Sequence, residues 1–171
     1  MTLREQLLSA HSKANCDRIV RWIGKNQARF DALFRLFIND EYRVVQRAAW
    51  PLSYCVINHP PFIKKHFGKL VRNLRKPGIH DAVKRNTVRL LQSVDIPKRY
   101  QGPVMDICFS YIATPGEPVA IKAFSLTILG NLATQYPDII PEIKLLIEEN
   151  YEHETAAFKS RAKKLLKKMA G

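Results

Sequence analysis

Apolar residues recur with one spacing in four separate stretches of the chain. In each stretch an apolar residue is followed four, seven and eleven positions later by small or apolar residues. The four sets are Val45, Ala49, Leu52 and Val56; Val83, Thr87, Leu90 and Val94; Ile121, Ser125, Ile128 and Leu132; and Phe158, Ala162, Leu165 and Met169. This spacing is typical of one face of an amphipathic helix and not of the alternation in a strand. It therefore predicts four related helices.

Each of these helices follows a turn that recurs at an interval of 38 or 37 residues. The turn positions are Asn39-Asp40, Pro77-Gly78, Pro115-Gly116 and Glu152-His153. An acidic residue follows each turn, at Glu41, Asp81, Glu117 and Glu154, where it favours the positive end of the helix dipole. The four helices are thus predicted to begin just after the four turns.

A second apolar segment precedes each turn and is often introduced by proline, which the first turn of a helix accepts. These segments cover 26–38 and about 60–75, 99–113 and 138–150, with Leu33, Val71, Phe109 and Leu146 in matching positions. The repeated unit is therefore a helix pair. We expect the Gly102-Pro103 step to break or shorten the helix at 99–113.

Residues 1–24 read as two shorter helices outside this register, and they suit a terminal unit that covers the apolar end of a stack. The prediction is one all-α domain over 1–171, an α-α superhelix of about four helix pairs with a shorter N-terminal cap. The cap is 1–24, and the pairs are 26–58, 60–95, 97–135 and 137–170.

Units of about 38 residues in which an apolar residue such as valine precedes a lysine or arginine near the start of the second helix resemble HEAT or armadillo-type α-solenoid repeats. The resemblance implies a scaffold without chemistry of its own, in which the second helix of each pair lines a concave face. By that resemblance, six residues of two such helices form a candidate binding strip: Arg43, Arg47, Trp50, Tyr54, Arg85 and Arg89.

A weaker resemblance is to DNA-alkylation-repeat proteins, which are also basic solenoids. Those glycosylases hold a damaged base with aromatic residues and an acidic residue in the groove. Trp50 and Tyr54 could supply the aromatic residues, whereas Asp81 is the only acid on the expected concave face. The chain is also shorter than is usual for that family.

The net charge of +13 favours polyanions or acidic proteins as partners. Residues 1–76 hold 15 Lys and Arg against five Asp and Glu, whereas the rest holds 13 against ten. One dense basic run, Lys64 to Lys76, falls on the first helix of its pair. Such a run more often forms a solvated helix face than a binding site.

The sequence contains no recognisable catalytic constellation, and we expect no enzyme activity, no cofactor and no metal. The five histidines are scattered outside known catalytic motifs, and His59 and His80 read as turn residues or helix caps. Cys16, Cys55 and Cys108 are odd in number and lack a C-x-x-C spacing, which favours a reducing cytoplasm. We expect neither an export signal nor a membrane span.

Two functions remain open at this stage. The first is a scaffold that binds a protein or peptide, of acidic character, on its concave face. The alternative is a basic solenoid that binds nucleic acid through phosphate contacts. An arginine strip unbroken by acids would favour a polyanion, and an apolar patch around Trp50 would favour a peptide.

Overall fold

The computed structural model describes residues 1–171 and is all-α, as predicted. The α-helices are α1 (Leu3–Ser9), α2 (Lys13–Ile23), α3 (Gln27–Asn39), α4 (Tyr42–Asn58), α5 (Phe67–Leu74), α6 (Asp81–Leu91), α7 (Lys98–Ala113), α8 (Val119–Ala133), α9 (Ile140–Asn150) and α10 (Ala156–Ala170). Short 3₁₀ segments cover Pro60–His66, Pro137–Ile139 and Tyr151–His153. No helix is both long enough and apolar enough to span a bilayer.

The helices group into two compact units, Met1–Val94 and Asp95–Gly171. The first unit contains α1 to α6 and the second contains α7 to α10. The boundary lies within two residues of the predicted junction between the second and third helix pairs. That the whole chain behaves as one domain stays a prediction.

In the first unit, α4 is the central helix. It packs against α1, α2, α3, α6 and the 3₁₀ segment Pro60–His66, while α5 packs against α3, α6 and that segment. The pairs α3/α4 and α5/α6 are therefore stacked as the repeat predicts. Their core is aromatic: Phe30 and Phe62 are fully buried, and their rings stack with centroids 4.7 Å apart.

In the second unit, α8 is central and packs against α7, α9 and α10. Its polar residue Lys122 is buried and bonds to Glu154, just ahead of α10. Arg161 of α10 donates to the hydroxyl of Thr127 on α8 over 2.8 Å. Two cationic side chains thus join neighbouring helix pairs across this core.

Thirteen of the sixteen repeat positions are buried, and the exceptions are Val45, Val94 and Met169. Val83, Ile121 and Phe158 are buried, whereas Val45 is only half-buried. Helix α4 instead buries Val44 together with Ala48, because it is packed on more sides than the other three helices. Its buried face is consequently wider than the predicted stripe.

The two Pro-Gly turns share one backbone geometry. Gly78 has φ +69° and Gly116 has φ +79°, values that suit the third position of a type II turn and favour glycine. The turns at Asn39-Asp40 and Glu152-His153 contain no residue of positive φ. Of the four predicted turns, only the two Pro-Gly turns thus share a glycine with positive φ.

The expected break at Gly102-Pro103 is absent, and α7 runs unbroken from Lys98 to Ala113. Proline inside a helix clashes with the backbone N–H and the Cβ of the residue before it and with the carbonyl four residues back. Gly102 has no Cβ, so one of these clashes is absent. The helix therefore continues past Pro103 at the loss of one backbone hydrogen bond.

The three cysteines are free and buried. Burial raises the pKa of the Cys16 thiol to about 11 and the pKa values of Cys55 and Cys108 to about 12. Cys16 and Cys55 belong to the first unit and Cys108 to the second.

Candidate binding cleft

A cleft of about 280 Å³ lies between α4 and α6 in the first unit. Trp50 and Tyr54 stand one turn apart on α4, and Arg85 and Arg89 stand one turn apart on α6. Since residues four apart on a helix share a face, each pair lines the same cleft. An aromatic wall thus faces an arginine wall, and four of the six predicted site residues meet here.

Polar residues hold the two walls together. The Ser53 hydroxyl lies 3.2 Å from the side-chain oxygen of Asn86, and both side chains are buried. The Asn86 amide also donates to the carbonyl of Ala82 over 2.8 Å. The Ser53–Asn86 bond thus joins α4 to α6, and the bond to Ala82 lies within α6 and orients the Asn86 side chain.

Two cations lie near the ring of Tyr54, Lys13 of α2 and Arg89 of α6. The ammonium nitrogen of Lys13 lies 5.0 Å from the ring centroid and the guanidinium carbon of Arg89 lies 5.4 Å from it. These distances suit cation–π attraction, which orients both cations towards the aromatic wall. Lys13 also pairs with Asp17 one turn further along α2.

Trp50 is half-buried, and its ring contacts that of His11 with centroids 5.9 Å apart. His11 and Gln46 complete the lining together with Ala82 and Asn86. Sequence reasoning missed His11, because it lies in the turn between α1 and α2, outside the repeated pattern. Only the tertiary packing of α1 and α2 on α4 brings it to the cleft.

Arg43 and Arg47 do not line the cleft. Arg47 donates from Nη1 to the carbonyl oxygens of Leu8, at 2.7 Å, and Leu7, at 3.3 Å. These carbonyls lie in the last turn of α1, where they lack intrahelical partners. Arg47 therefore holds α1 onto α4, whereas Arg43 is exposed.

No carboxylate lines the cleft. The first unit has 18 Lys and Arg against six Asp and Glu, a surplus of 12. Four of those acids form ion pairs within the unit: Asp17 with Lys13, Asp31 with Lys65, and Asp40 and Glu41 with Arg4. A fifth, Glu5, closes the capping box of α1 with Thr2.

The remaining acid, Asp81, is exposed in the first turn of α6 and is not among the cleft residues. The acidic groove residue implied by the glycosylase resemblance therefore has no counterpart in this cleft. His80 caps α6, its Nδ1 accepting from the backbone N–H of Ala82 over 2.9 Å, as predicted for a helix cap. No group of three His, Cys, Asp or Glu side chains in residues 1–171 could hold a metal ion.

The family follows from comparison with known proteins. A family model described as a HEAT repeat domain matches residues 3–169. The chain belongs to the HEAT repeat family. No curated protein and no solved structure matches it.

HEAT repeats are scaffolds in which stacked helix pairs present a surface to other proteins. Membership thus accounts for the paired helices and for the repeat in both units. Membership does not identify the ligand, because a scaffold family does not specify its partner.

Proposed function

We propose that this HEAT protein is a non-enzymatic adaptor that binds an acidic segment of another protein in the α4–α6 cleft. The observation that carries the proposal is the arginine wall, Arg85 and Arg89, set against the aromatic wall, Trp50 and Tyr54, with no carboxylate between them. Carboxylates would pair with the guanidinium groups, and apolar side chains would pack on the rings.

The spacing within each wall suits an extended chain. Residues four apart on a helix are displaced by about 6 Å along its axis, because each residue rises about 1.5 Å. Alternate residues of a strand are about 6.6 Å apart and point to the same side. A segment with acids at alternate positions would thus present its acids to Arg85 and Arg89 and its other side chains to Trp50 and Tyr54.

A peptide fits the cleft better than stacked bases do. Trp50 is half-buried against His11 and offers part of its ring, whereas base stacking uses a full ring face. The free, buried cysteines fit the reducing cytoplasm that we propose as the site of this function. The absence of carboxylates from the cleft keeps single-stranded nucleic acid as the second candidate.

The test is fluorescence anisotropy with a labelled peptide of alternating Asp and Phe, at near-physiological salt. The matched control peptide has the same composition with its Asp and Phe residues in two blocks. We expect tighter binding of the alternating peptide and a loss of about tenfold in affinity for Arg85→Gln or Trp50→Ala, which corresponds to about 1.4 kcal/mol.

Arg43→Gln is the control variant, because it removes an exposed arginine of α4 outside the cleft. Equal losses for Arg43→Gln and Arg85→Gln would show that the attraction is unspecific. If a thymidine oligonucleotide binds the cleft instead, with the same dependence on Arg85 and Trp50, the second candidate is correct.

A further inference from the structure

A second basic surface lies on the 3₁₀ segment Pro60–His66, on α5 and on the two residues that follow α5, and the cleft does not include it. We call it the basic strip and define it by six exposed residues: Lys64, Lys65, Lys69, Arg72, Arg75 and Lys76. The apolar residues between them, including Phe67, Leu70 and Leu74, are buried. One face of this segment thus packs in the core and the other is cationic.

The cations of the basic strip differ in their ion pairing with the acids of the first unit. Lys65 pairs with Asp31, whose carboxylate also lies 2.6 Å from Nε2 of His66. The unit's other ion-paired acids are bound to Arg4 and Lys13. Lys64, Lys69, Arg72 and Lys76 form no ion pair with these acids, and their positive charge faces solvent.

The basic strip carries charge without an apolar anchor. The exposed large hydrophobic residues of the chain are Met1, Trp22, Tyr42 and Leu145, and all four lie outside residues 60–76. A protein interface usually depends on buried aromatic or aliphatic anchors, and a membrane-bound helix inserts apolar side chains. A single-stranded nucleic acid would need aromatic rings on which to stack its bases. A phosphate backbone needs only the cations.

The length of the basic strip also suits a duplex. From Lys64 to Lys76 the segment extends roughly 20 Å, taking about 2.0 Å per 3₁₀ residue and about 1.5 Å per α-helical residue. Phosphates of one strand of B-DNA follow each other about every 3.4 Å along the axis, so the strip lies within reach of several of them.

We infer that the basic strip binds the phosphate backbone of double-stranded nucleic acid, without reading its sequence. The strip runs from the 3₁₀ segment Pro60–His66 along α5 to Lys76, whereas the cleft helix α6 is the other member of the pair. A duplex and an acidic protein segment can therefore be bound by different helices of the same unit. The protein would then join a nucleic acid to a protein partner.

The experiment measures the affinity for a labelled 24-base-pair duplex DNA over a range of salt concentrations. Four contacts, by Lys64, Lys69, Arg72 and Lys76, give an expected slope of log K against log salt of about −3.6, or about 150-fold weaker binding at 200 mM than at 50 mM salt. The variant Lys64→Gln/Lys69→Gln/Arg72→Gln/Lys76→Gln should lose at least tenfold in affinity at low salt and most of this slope.

The matched control is Lys163→Gln/Lys164→Gln/Lys167→Gln/Lys168→Gln, which removes the same number of exposed charges from α10. It should keep the slope and nearly all of the affinity, and the basic-strip variant should still bind the Asp-Phe peptide as tightly as the unmodified protein. Conversely, Arg85→Gln should leave duplex binding unchanged. The failure of either proposal can therefore be distinguished from the failure of the other.

Equal losses in the two quadruple variants would overturn the inference, because binding would then follow net charge and not the basic strip. Binding of phosphatidylserine vesicles that depends on the strip, together with duplex binding that does not, would also overturn it and identify a membrane surface instead.

Discussion

The ammonium of Lys122 lies 2.7 Å from a carboxylate oxygen of Glu154, with only 6% and 8% of the two side chains exposed. Lys122 directly follows the repeat position Ile121 on α8, and Glu154 precedes α10. The pair thus links the third helix pair to the fourth inside the second unit. Charges buried to this degree are tolerated because each neutralises the other.

Removing one member of this pair is predicted to be costly. Lys122→Met leaves the Glu154 carboxylate buried without its partner, which should lower the free energy of unfolding of the second unit by about 3–5 kcal/mol. Urea unfolding followed by circular dichroism measures this change. The double variant Lys122→Met/Glu154→Leu should recover most of the loss, and a double variant as unstable as the single one would contradict this explanation.

Arg47 is predicted to act in stability and not in ligand binding. Arg47→Ala uncovers the carbonyls of Leu7 and Leu8 in the last turn of α1, and it should cost about 1–3 kcal/mol. A lower midpoint of thermal unfolding, together with faster hydrogen exchange in α1, would show this loss of stability. Arg43→Ala serves as the control and should change stability by less than about 0.5 kcal/mol, because its side chain is exposed.

Gly78 tests the turn geometry without a steric complication, since an added Cβ would meet no atom within 4 Å. Gly78→Val should destabilise the first unit by about 1–2 kcal/mol, because a β-branched residue is strained at positive φ. Gly78→Asn should cost clearly less, since asparagine tolerates this region. The same order is expected at Gly116, and a reversed order at either site would show that the turn is not under this constraint.

Asp31 is predicted to make the first unit sensitive to acid. Partial burial raises the pKa of its carboxyl, but hydrogen bonds from Lys65, Gln27 and His66 outweigh that effect and hold the pKa well below its usual range. A carboxyl group whose pKa is lowered in the folded state stabilises the fold at pH values above its unfolded-state pKa of about 4. This stabilisation is lost as the pH falls below that value.

The measurement is the midpoint of thermal unfolding between pH 7 and pH 2. Asp31→Asn should lower the midpoint at neutral pH and flatten its decline below pH 4, because asparagine carries no titrating carboxyl. A parallel decline in the two proteins would assign the acid sensitivity to other groups.

The helix pairs could be predicted because their signals are local. Buried positions such as Val83 and Ile121 repeat at one interval, and Gly78 and Gly116 mark equivalent turns. The predicted break at Gly102-Pro103 was wrong, and α7 continues through Pro103, where the preceding glycine lacks the Cβ that proline would clash with. The wider buried face of α4 depends on α1 and α2, which lie outside the repeat.

The candidate cleft was predictable in part for the same reason. Trp50 and Tyr54 share a helix face, as do Arg85 and Arg89, so pairing α4 with α6 brings the four together. Arg47 has the same local spacing, but its hydrogen bond joins it to Leu8, 39 positions away in sequence. No local pattern contains that contact, and only the packed structure separates an arginine that lines the cleft from a structural one.

The buried cysteines allow the opening of each unit to be timed without any engineered label. A thiol reagent attacks the thiolate, which burial disfavours in all three residues, so modification requires that the surrounding helices separate first. Cys16 and Cys55 should then be modified at one common rate and Cys108 at its own, as resolved by mass spectrometry of timed samples. A ligand that occupies the cleft would slow the first rate alone, so the natural thiols report which unit a ligand stabilises.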